Sequence, residues 1–259
     1  MKLSVSIITF NEEKNIERCL RSVADVADEI VVVDSLSTDN TKKICLALGA
    51  IFIEQPFLGY KEQKNFALDQ VHHDHVLSLD ADEALSPELL ESIKREKAAG
   101  FPASGYTMNR RAWYCDSWIY HGHWYPDIKL RLAKRSKVHW KGINPHDKLE
   151  IESNEKVVHL EGDILHHTYF TIDEHVLQGN KFSTISARAY FEQGKRSGIL
   201  KLLIHPAWAF IYSYILKKGF LDGFNGYVIS KQTANQTFLK YAKLLQLQRQ
   251  AKALNKTSN

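Results

Sequence analysis

The chain has 259 residues, of which 44% are hydrophobic and 25% charged, and its formal net charge is +4. This is an ordinary globular composition, long enough for one large domain or one domain with an appendage, so disorder of the whole chain is excluded. Its three cysteines are too few and too scattered for a disulfide scaffold or a cysteine-rich zinc site.

The first 90 residues alternate between apolar strand patterns and helical patterns. Strands are predicted at 3–9, 29–34, 50–53 and 74–80, and helices at 11–23, about 38–48, 62–70 and from Ser86-Pro87 onward. Continuous apolar strands that alternate with helices are typical of a mostly parallel sheet covered by helices on both faces. The sequence therefore predicts an α/β, Rossmann-like fold.

Acidic and polar residues follow these strands at the point where each one ends. Asp34 and Asp80 close two strands, and ligands of open α/β sheets bind beyond the carboxyl ends of the strands. Asp80 and Asp82 stand one residue apart, so both carboxylates are able to reach one divalent cation such as Mg²⁺ or Mn²⁺. Asp, Asn, Ser and Thr in these positions also suit helix capping, and both roles stay open here.

The middle of the chain, from Gly105 to about Leu165, is rich in Trp, Tyr, Gly and His and predicts antiparallel strands and loops. Its aromatic block from Trp113 to Tyr125 suits stacking on sugar rings, with a place in the core as the alternative. From Ile172 onward the pattern is helical.

The charge is distributed unevenly along the chain. Residues 195–259 hold eleven basic residues and one acid, Asp222, a net of +10 that leaves −6 for residues 1–194. A basic end indicates an anionic partner, either nucleic acid or membrane. The apolar stretch 204–216 precedes Lys217 and Lys218 and is too short to cross a bilayer, but it suits a helix lying in the interface; packing on the rest of the protein is the alternative.

Three segments together resemble glycosyltransferase family 2, which has the GT-A fold: TFNEE (9–13), VDSLSTDNT (33–41) and DADE (80–83). The family usually has glycine where Leu36 stands. Beyond Gly105 the chain is similar to the glucosyltransferases of bacterial lipopolysaccharide core synthesis, for example in GHWYPDIKLRLAKRSKVHW (122–140) and FLKYAKLLQLQ (238–248). The resemblance implies a GT-A catalytic domain at 1–170, with a nucleotide-sugar and metal half at 1–104 and an acceptor half at 105–170, and a basic helical extension at 171–259.

The resemblance also implies site residues. The nucleotide-sugar site is expected to comprise Thr9, Asn11, Glu12, Asp34, Ser35, Lys61, Lys64, Asp80 and Arg131. For the two lysines and Arg131 a contact with the diphosphate has an alternative: lysines at a helix start are commonly only solvated, and Arg131 suits the solvated face of a strand. Asp80, Asp82 and His146 are expected at the metal, which is Mg²⁺ or Mn²⁺. Asp147 stands where the family has a carboxylate beside the acceptor, and it is the expected catalytic base.

The expected activity is an inverting, metal-dependent transfer of a hexose, namely glucose, from a UDP-sugar to a lipid-linked acceptor such as the heptose of a lipopolysaccharide inner core. The alternatives are a sugar transferase acting on polyprenyl phosphate and a non-catalytic nucleotide-sugar-binding protein. A nucleic-acid-binding protein fits less well, because the basic tail is rich in Leu and aromatic residues and the first half carries acids. Since the N-terminal residues lack the pattern of a signal peptide, we expect a cytoplasmic protein, attached peripherally to the inner face of the cytoplasmic membrane.

Overall fold

The computed structural model describes residues 1–143 and 146–257, without the side chains of 143, 146 and 254–257. The chain forms two compact units. Unit 1 comprises Met1–Arg111 and Asp127–His167, and unit 2 comprises Ala112–Pro126 and the residues from Thr168 on. The domain limits expected at 104 and 170 remain predictions.

The strands are β1 (Leu3–Thr9), β2 (Glu29–Asp34), β3 (Ile51–Glu54), β4 (His75–Asp80), β5 (Glu83–Leu85), β6 (Gly105–Tyr114), β7 (Ser117–Trp118), β8 (Ile128–Lys134), β9 (Val138–Ile143), β10 (His146–Ile151) and β11 (Val157–Tyr169). The helices are α1 (Ile16–Val23), α2 (Thr41–Ala47), α3 (Tyr60–Gln70), α4 (Pro87–Ala98), α5 (Ile172–Glu192), α6 (Ile199–Ile211) and α7 (Gly223–Thr257).

The main sheet has the strand order β3-β2-β1-β4-β8-β6-β11-β5. Strands β3, β2, β1 and β4 are parallel, whereas β8, β6 and β5 pair antiparallel with their partners. Strands β9 and β10 form a separate antiparallel pair. The α/β prediction is confirmed, and so are the antiparallel strands expected after Gly105.

Helices cover both faces of the parallel strands. On one face Val5 and Ile7 pack in a core with Ile16 and Ile93, and on the other face residues of β2 such as Val33 pack in a core with α3. Side chains of a strand alternate between the two faces, so an apolar run is buried on both. The Ser86 side chain caps α4 by accepting a hydrogen bond from the Leu89 amide, as its sequence position predicts.

The strand register determines where Asp34 and Asp80 lie in the sheet. Thr9 pairs with Asp34 on one side of β1, and Ile8 pairs with Asp80 on the other side. The carboxyl ends of β2, β1 and β4 therefore lie at one edge of the sheet, with Asp34 and Asp80 flanking the end of β1.

Unit 2 is built on α5, α6 and α7, around a small aromatic core. Tyr114, Ile119 and Ile229 are buried there, and the Tyr114 hydroxyl lies 3.1 Å from Nδ1 of the buried His175. Burial lowers the pKa of His175 to about 4.

One helical stretch of unit 2, Ile199–Leu216, is long and apolar enough to cross a membrane, judged by length and composition alone. It has a mean hydropathy of 1.5, and 6% of it is buried. Residues 204–216 by themselves are too short to cross, as expected from the sequence. The helix begins five residues earlier, because Ile199–Leu203 continue it.

Candidate active site

The loops that follow β1 and β2 are joined by hydrogen bonds. The Asn11 amide donates to the Ser37 hydroxyl (2.7 Å), and the Thr38 amide donates to the Asn11 side-chain oxygen (2.8 Å). Beside them the Glu12 amide donates to the Thr41 hydroxyl (2.9 Å). The two polar motifs at 9–13 and 33–41 are therefore joined into one wall of hydrogen-bonded loops.

Asp34 lies at the base of this wall and is buried. Its carboxylate accepts hydrogen bonds from the amide and the hydroxyl of Ser37, at 2.7 and 2.5 Å. The Ser35 amide donates to the carbonyl of Thr9 (2.9 Å), so the ends of the two strands are fixed together.

The turn at Leu36 has the conformation that glycine favours. Its φ is +66°, in the left-handed region, and its side chain is half exposed. A residue with a Cβ pays roughly 1–2 kcal/mol in this region. Leu36, which stands where the family usually has glycine, therefore keeps the glycine-type turn and makes it strained.

Glu12 is held in an environment that disfavours its charge. Burial raises the pKa of Glu12 to about 7, with the nearby Asp82 and Asp39 adding to the shift, although the Asn15 side chain donates to its carboxylate (2.7 Å). A cation bound nearby would favour the charged carboxylate.

Asp80, at the end of β4, is held between two cations. Lys64 Nζ lies 3.2 Å from Oδ1 of Asp80, and Arg131 Nη2 lies 3.2 Å from its Oδ2. Burial opposes ionisation, but the charges of Lys64, Arg131 and Arg110 outweigh it and hold the pKa of Asp80 well below its usual range. Asp80 is therefore an anion whose charge is already offset by the protein.

Glu83 fixes the turn that carries both aspartates. Its buried carboxylate lies 2.9 Å from Arg131 and 3.3 Å from Arg110, and it accepts a hydrogen bond from the Asp80 amide (2.9 Å). Arg131, expected at the nucleotide sugar, is only 4% exposed. In this arrangement its guanidinium forms ion pairs with both Asp80 and Glu83 and holds the two carboxylates in place.

Asp82 faces His166, which is not among the site residues expected from the sequence. Strand β11 pairs with β5, with His166 opposite Glu83, and this brings His166 Nε2 to 3.0 Å from Oδ2 of Asp82. Burial raises the pKa of Asp82, but the interaction with His166 outweighs it and lowers the pKa from its usual value. Only the long-range pairing of β5 with β11 reveals this partner.

Asp147, the expected base, is on β10 and forms an ion pair with the same lysine that holds Asp80. Its carboxylate lies 3.0 Å from Lys64 Nζ, and its side chain is 4% exposed. Lys64 also lies 4.4 Å from the centre of the Trp140 ring. Asn65, the next residue of α3, exchanges two hydrogen bonds with the backbone of Trp140 and so ties the β9–β10 pair to α3.

The structure brings most of the expected site residues to this edge of the sheet. The exceptions are Lys61 and His146. Lys61 forms a surface ion pair with its neighbour Glu62 (3.0 Å), and the side chain of His146 lies outside the described residues.

The residues present fit a divalent cation that arrives with a diphosphate. Within the described part of the chain, no group of three or more His, Cys, Asp and Glu side chains is arranged to hold a metal ion. Asp82 and the adjacent His166 would be able to supply two ligands, and Mg²⁺ in particular is commonly bound by one or two carboxylates together with water and substrate phosphates. An ion at this point would take its other ligands from the donor.

Comparison with known proteins identifies the family of this chain. The model of glycosyl transferase family 2 matches residues 4–151. An uncharacterized glycosyltransferase of Rickettsia prowazekii is 32% identical over 261 residues, covering 95% of this chain and 87% of the relative. The lipopolysaccharide core biosynthesis glycosyltransferase LpsC of Rhizobium meliloti is 31% identical over 256 residues, covering 95% and 93%.

Among solved structures, S. aureus TarS superposes with a TM-score of 0.50 at 15% identity, over 93% of this chain and 55% of that one, and this likeness concerns the fold alone. With the family model matching more than half of the chain and the relatives matching nearly all of it, the chain belongs to glycosyltransferase family 2.

Proposed function

We propose that this protein is an inverting, metal-dependent hexosyltransferase that moves glucose from UDP-glucose to a lipid-linked acceptor, such as the heptose of a lipopolysaccharide inner core. The observation that carries the proposal is the convergence of Asp80, Asp82 and Asp147 with Lys64 and His166 at one sheet edge. The name of the LpsC relative supports the lipopolysaccharide core as the pathway.

The wall formed by the two joined loops is the proposed site for the nucleoside. Asp34, Ser35, Thr9, Asn11 and Glu12 present carboxylate, hydroxyl and amide groups there, which suit the base edge and the ribose hydroxyls. The hydrogen bonds between the loops pre-form this surface, so little ordering is needed when the donor binds.

The diphosphate is proposed to lie near Lys64, with Arg131 acting through Asp80 and Glu83. Lys61, on the same helix as Lys64, would have to leave its ion pair with Glu62 to reach it. Lys64 is largely buried and shared between two carboxylates, so its position is well defined before the donor binds. A positive group fixed in a water-poor site stabilises the charge that develops on the departing diphosphate.

We propose Asp82 and His166 as the protein ligands of Mg²⁺ or Mn²⁺, with Asp80 beside them and His146 as the further candidate from the sequence. When bound, the ion would supply electrostatic stabilisation of the leaving UDP. The chain's own contribution is to hold the two side chains next to each other, with His166 Nε2 3.0 Å from the Asp82 carboxylate.

Asp147 is the proposed general base. An attacking hydroxyl must lose its proton to a positioned group on the face opposite the leaving UDP, and such a base is typically worth 10²–10⁴-fold. The ion pair with Lys64 keeps the Asp147 carboxylate fixed, and burial to 4% exposure shields it from water. A lipid-linked acceptor would bring the enzyme to the inner face of the cytoplasmic membrane.

The test is release of UDP from a panel of UDP-sugars with Mn²⁺ or Mg²⁺, with and without a purified heptose-containing core lipid. We expect UDP-glucose to be turned over in an acceptor-dependent and EDTA-sensitive manner. Asp82→Asn is expected to lose this activity, and Asp69→Asn is the matched control, because Asp69 lies on the exposed side of α3. Failure to turn over or bind any nucleotide sugar would overturn the proposal.

A further inference from the structure

Unit 2 exposes a continuous set of large apolar side chains. They lie along α6 and the π-helical turn Tyr212–Leu216 that follows it, mostly three or four residues apart, which places them on one side of the helix. We call this set the apolar face; it comprises Leu200, Leu203, Ile204, Trp208, Ile211, Ile215 and Leu216.

The apolar face continues into the turn that leads to α7. Phe220, Leu221 and Phe224 are exposed there. Tyr214, on the π-helical turn, contacts the rings of Phe220 (6.3 Å between ring centres) and Tyr227 (5.7 Å), so the two stretches form one surface. Soluble monomers rarely expose an apolar patch larger than a few hundred Å². The exposed parts of Trp208, Phe220, Phe224 and Tyr227 alone amount to roughly 400 Å².

The charges around the apolar face are positive. Lys201 lies within it, Lys217 and Lys218 follow it directly, and Arg196 precedes it, all exposed to solvent. Asp222, the one acid in residues 195–259, is turned inward, where its carboxylate accepts hydrogen bonds from the His121 amide (2.8 Å) and the Tyr120 amide (3.2 Å). Apolar side chains beside exposed lysines suit the headgroup region of an anionic bilayer.

The opposite side of α6 and of the π-helical turn packs against α7. The His205 ring stacks on Tyr241 (4.7 Å between ring centres), and the Ser213 and Ser230 hydroxyls share a buried hydrogen bond (2.9 Å). Between Ser230 and Tyr241, helix α7 carries Lys231 and Lys240. If the stretch 199–216 crossed the bilayer, these lysines would have to enter the hydrocarbon with it, which is unfavourable.

We propose that the apolar face docks on an anionic lipid bilayer, with α6 lying in the plane of the interface rather than crossing it. The inference draws its biological meaning from the proposed function, since a lipid-linked acceptor is found at such a surface.

The test is cosedimentation of the purified full-length chain with vesicles of equal parts phosphatidylglycerol and phosphatidylcholine, compared with pure phosphatidylcholine. We expect binding to the anionic vesicles, weakened by salt. Leu203→Glu and Trp208→Glu should each lower the partition coefficient at least about tenfold, because each removes a large inserted side chain. Leu177→Glu is the matched control: Leu177 is equally exposed on α5, outside the apolar face, and its replacement should leave binding unchanged.

Two further measurements make the result unambiguous. Lys217→Glu/Lys218→Glu should abolish the preference for anionic lipid, and an alkaline carbonate wash should release the wild-type chain from the vesicles. No binding by the wild type, equal binding by Trp208→Glu, or resistance to carbonate would overturn the inference. UDP release in solution, measured on the same preparations, tests the proposed function separately. Leu203→Glu should retain UDP release. Absence of UDP release in the wild type would contradict the proposed activity but not the docking surface.

Discussion

Replacing Asp147 by Asn tests the proposed base most directly. The substitution removes the carboxylate's ability to accept a proton but keeps an oxygen that is able to face Lys64, which retains Asp80 as a second partner at 3.2 Å. We therefore expect a modest loss of stability, about 1 kcal/mol. If Asp147 is the base, kcat should fall 10²–10⁴-fold, equivalent to about 3–5 kcal/mol of transition-state stabilisation.

The assay is acceptor-dependent UDP release, with the affinity for UDP-glucose measured by calorimetry in the absence of acceptor. Glu150→Gln is the control, because Glu150 is on the same strand but is exposed and pairs only loosely with Lys141 (3.5 Å). Loss of donor affinity without a fall in kcat would make Asp147 a counter-ion of Lys64 instead. A kcat close to that of the wild type would refute the assignment.

Three other predictions concern metal, turn strain and pH. His166→Ala should raise the Mn²⁺ concentration needed for half-maximal activity at least about tenfold. An equal effect of His146→Ala would favour His146, the ligand expected from the sequence, and metal titration of both variants decides between them. Leu36→Gly should raise the free energy of unfolding by about 0.5–1 kcal/mol, since relief of left-handed strain exceeds the entropy cost of glycine, and urea denaturation measures it. The pKa of His175 is about 4 in the folded chain and 6.5 in its reference state, so the unfolded chain binds the proton more tightly. The contribution of neutral His175 to the free energy of unfolding is therefore fully present above pH 6.5 and is lost as the pH falls towards 4. The destabilisation by His175→Gln, which is able to keep a hydrogen bond to Tyr114, should therefore shrink by up to about 3 kcal/mol between pH 7 and pH 4 in urea unfolding. An unchanged difference would contradict the burial argument.

The parallel half of the fold was predictable because its determinants are local. The apolar runs at 3–9 and 29–34 and the Ser86-Pro87 cap depend on neighbours in sequence, and the structure has strands Leu3–Thr9 and Glu29–Asp34 and a helix from Pro87. A parallel sheet then brings the strand ends to one edge, so the placement of Asp34 and Asp80 on either side of the end of β1 follows from topology alone.

The partners of the acids were not predictable in the same way. Glu83 meets Arg131 across 48 residues, and Asp82 meets His166 across 84. Both contacts depend on antiparallel pairings in the second half of the sheet, which no local pattern specifies. For Arg131 the sequence left a diphosphate contact and a solvated strand face open, but the structure buries it between two carboxylates. At Leu36, the backbone keeps the conformation typical of glycine, which the residue type alone does not indicate.

The two aspartates of the Asp-x-Asp motif differ in their surroundings, and this difference suggests a division of roles. Asp80 lies within 3.2 Å of both Lys64 and Arg131, so a divalent ion would have to compete with two fixed cations for its charge. Asp82 is paired with His166, whose imidazole in its neutral form is itself a metal ligand. We infer that Asp80 holds the lysine and arginine side chains in position for the diphosphate, while Asp82 with His166 receives the ion. Lys64 connects these proposed roles to Asp147, because one ammonium group contacts both the Asp80 carboxylate and the proposed base.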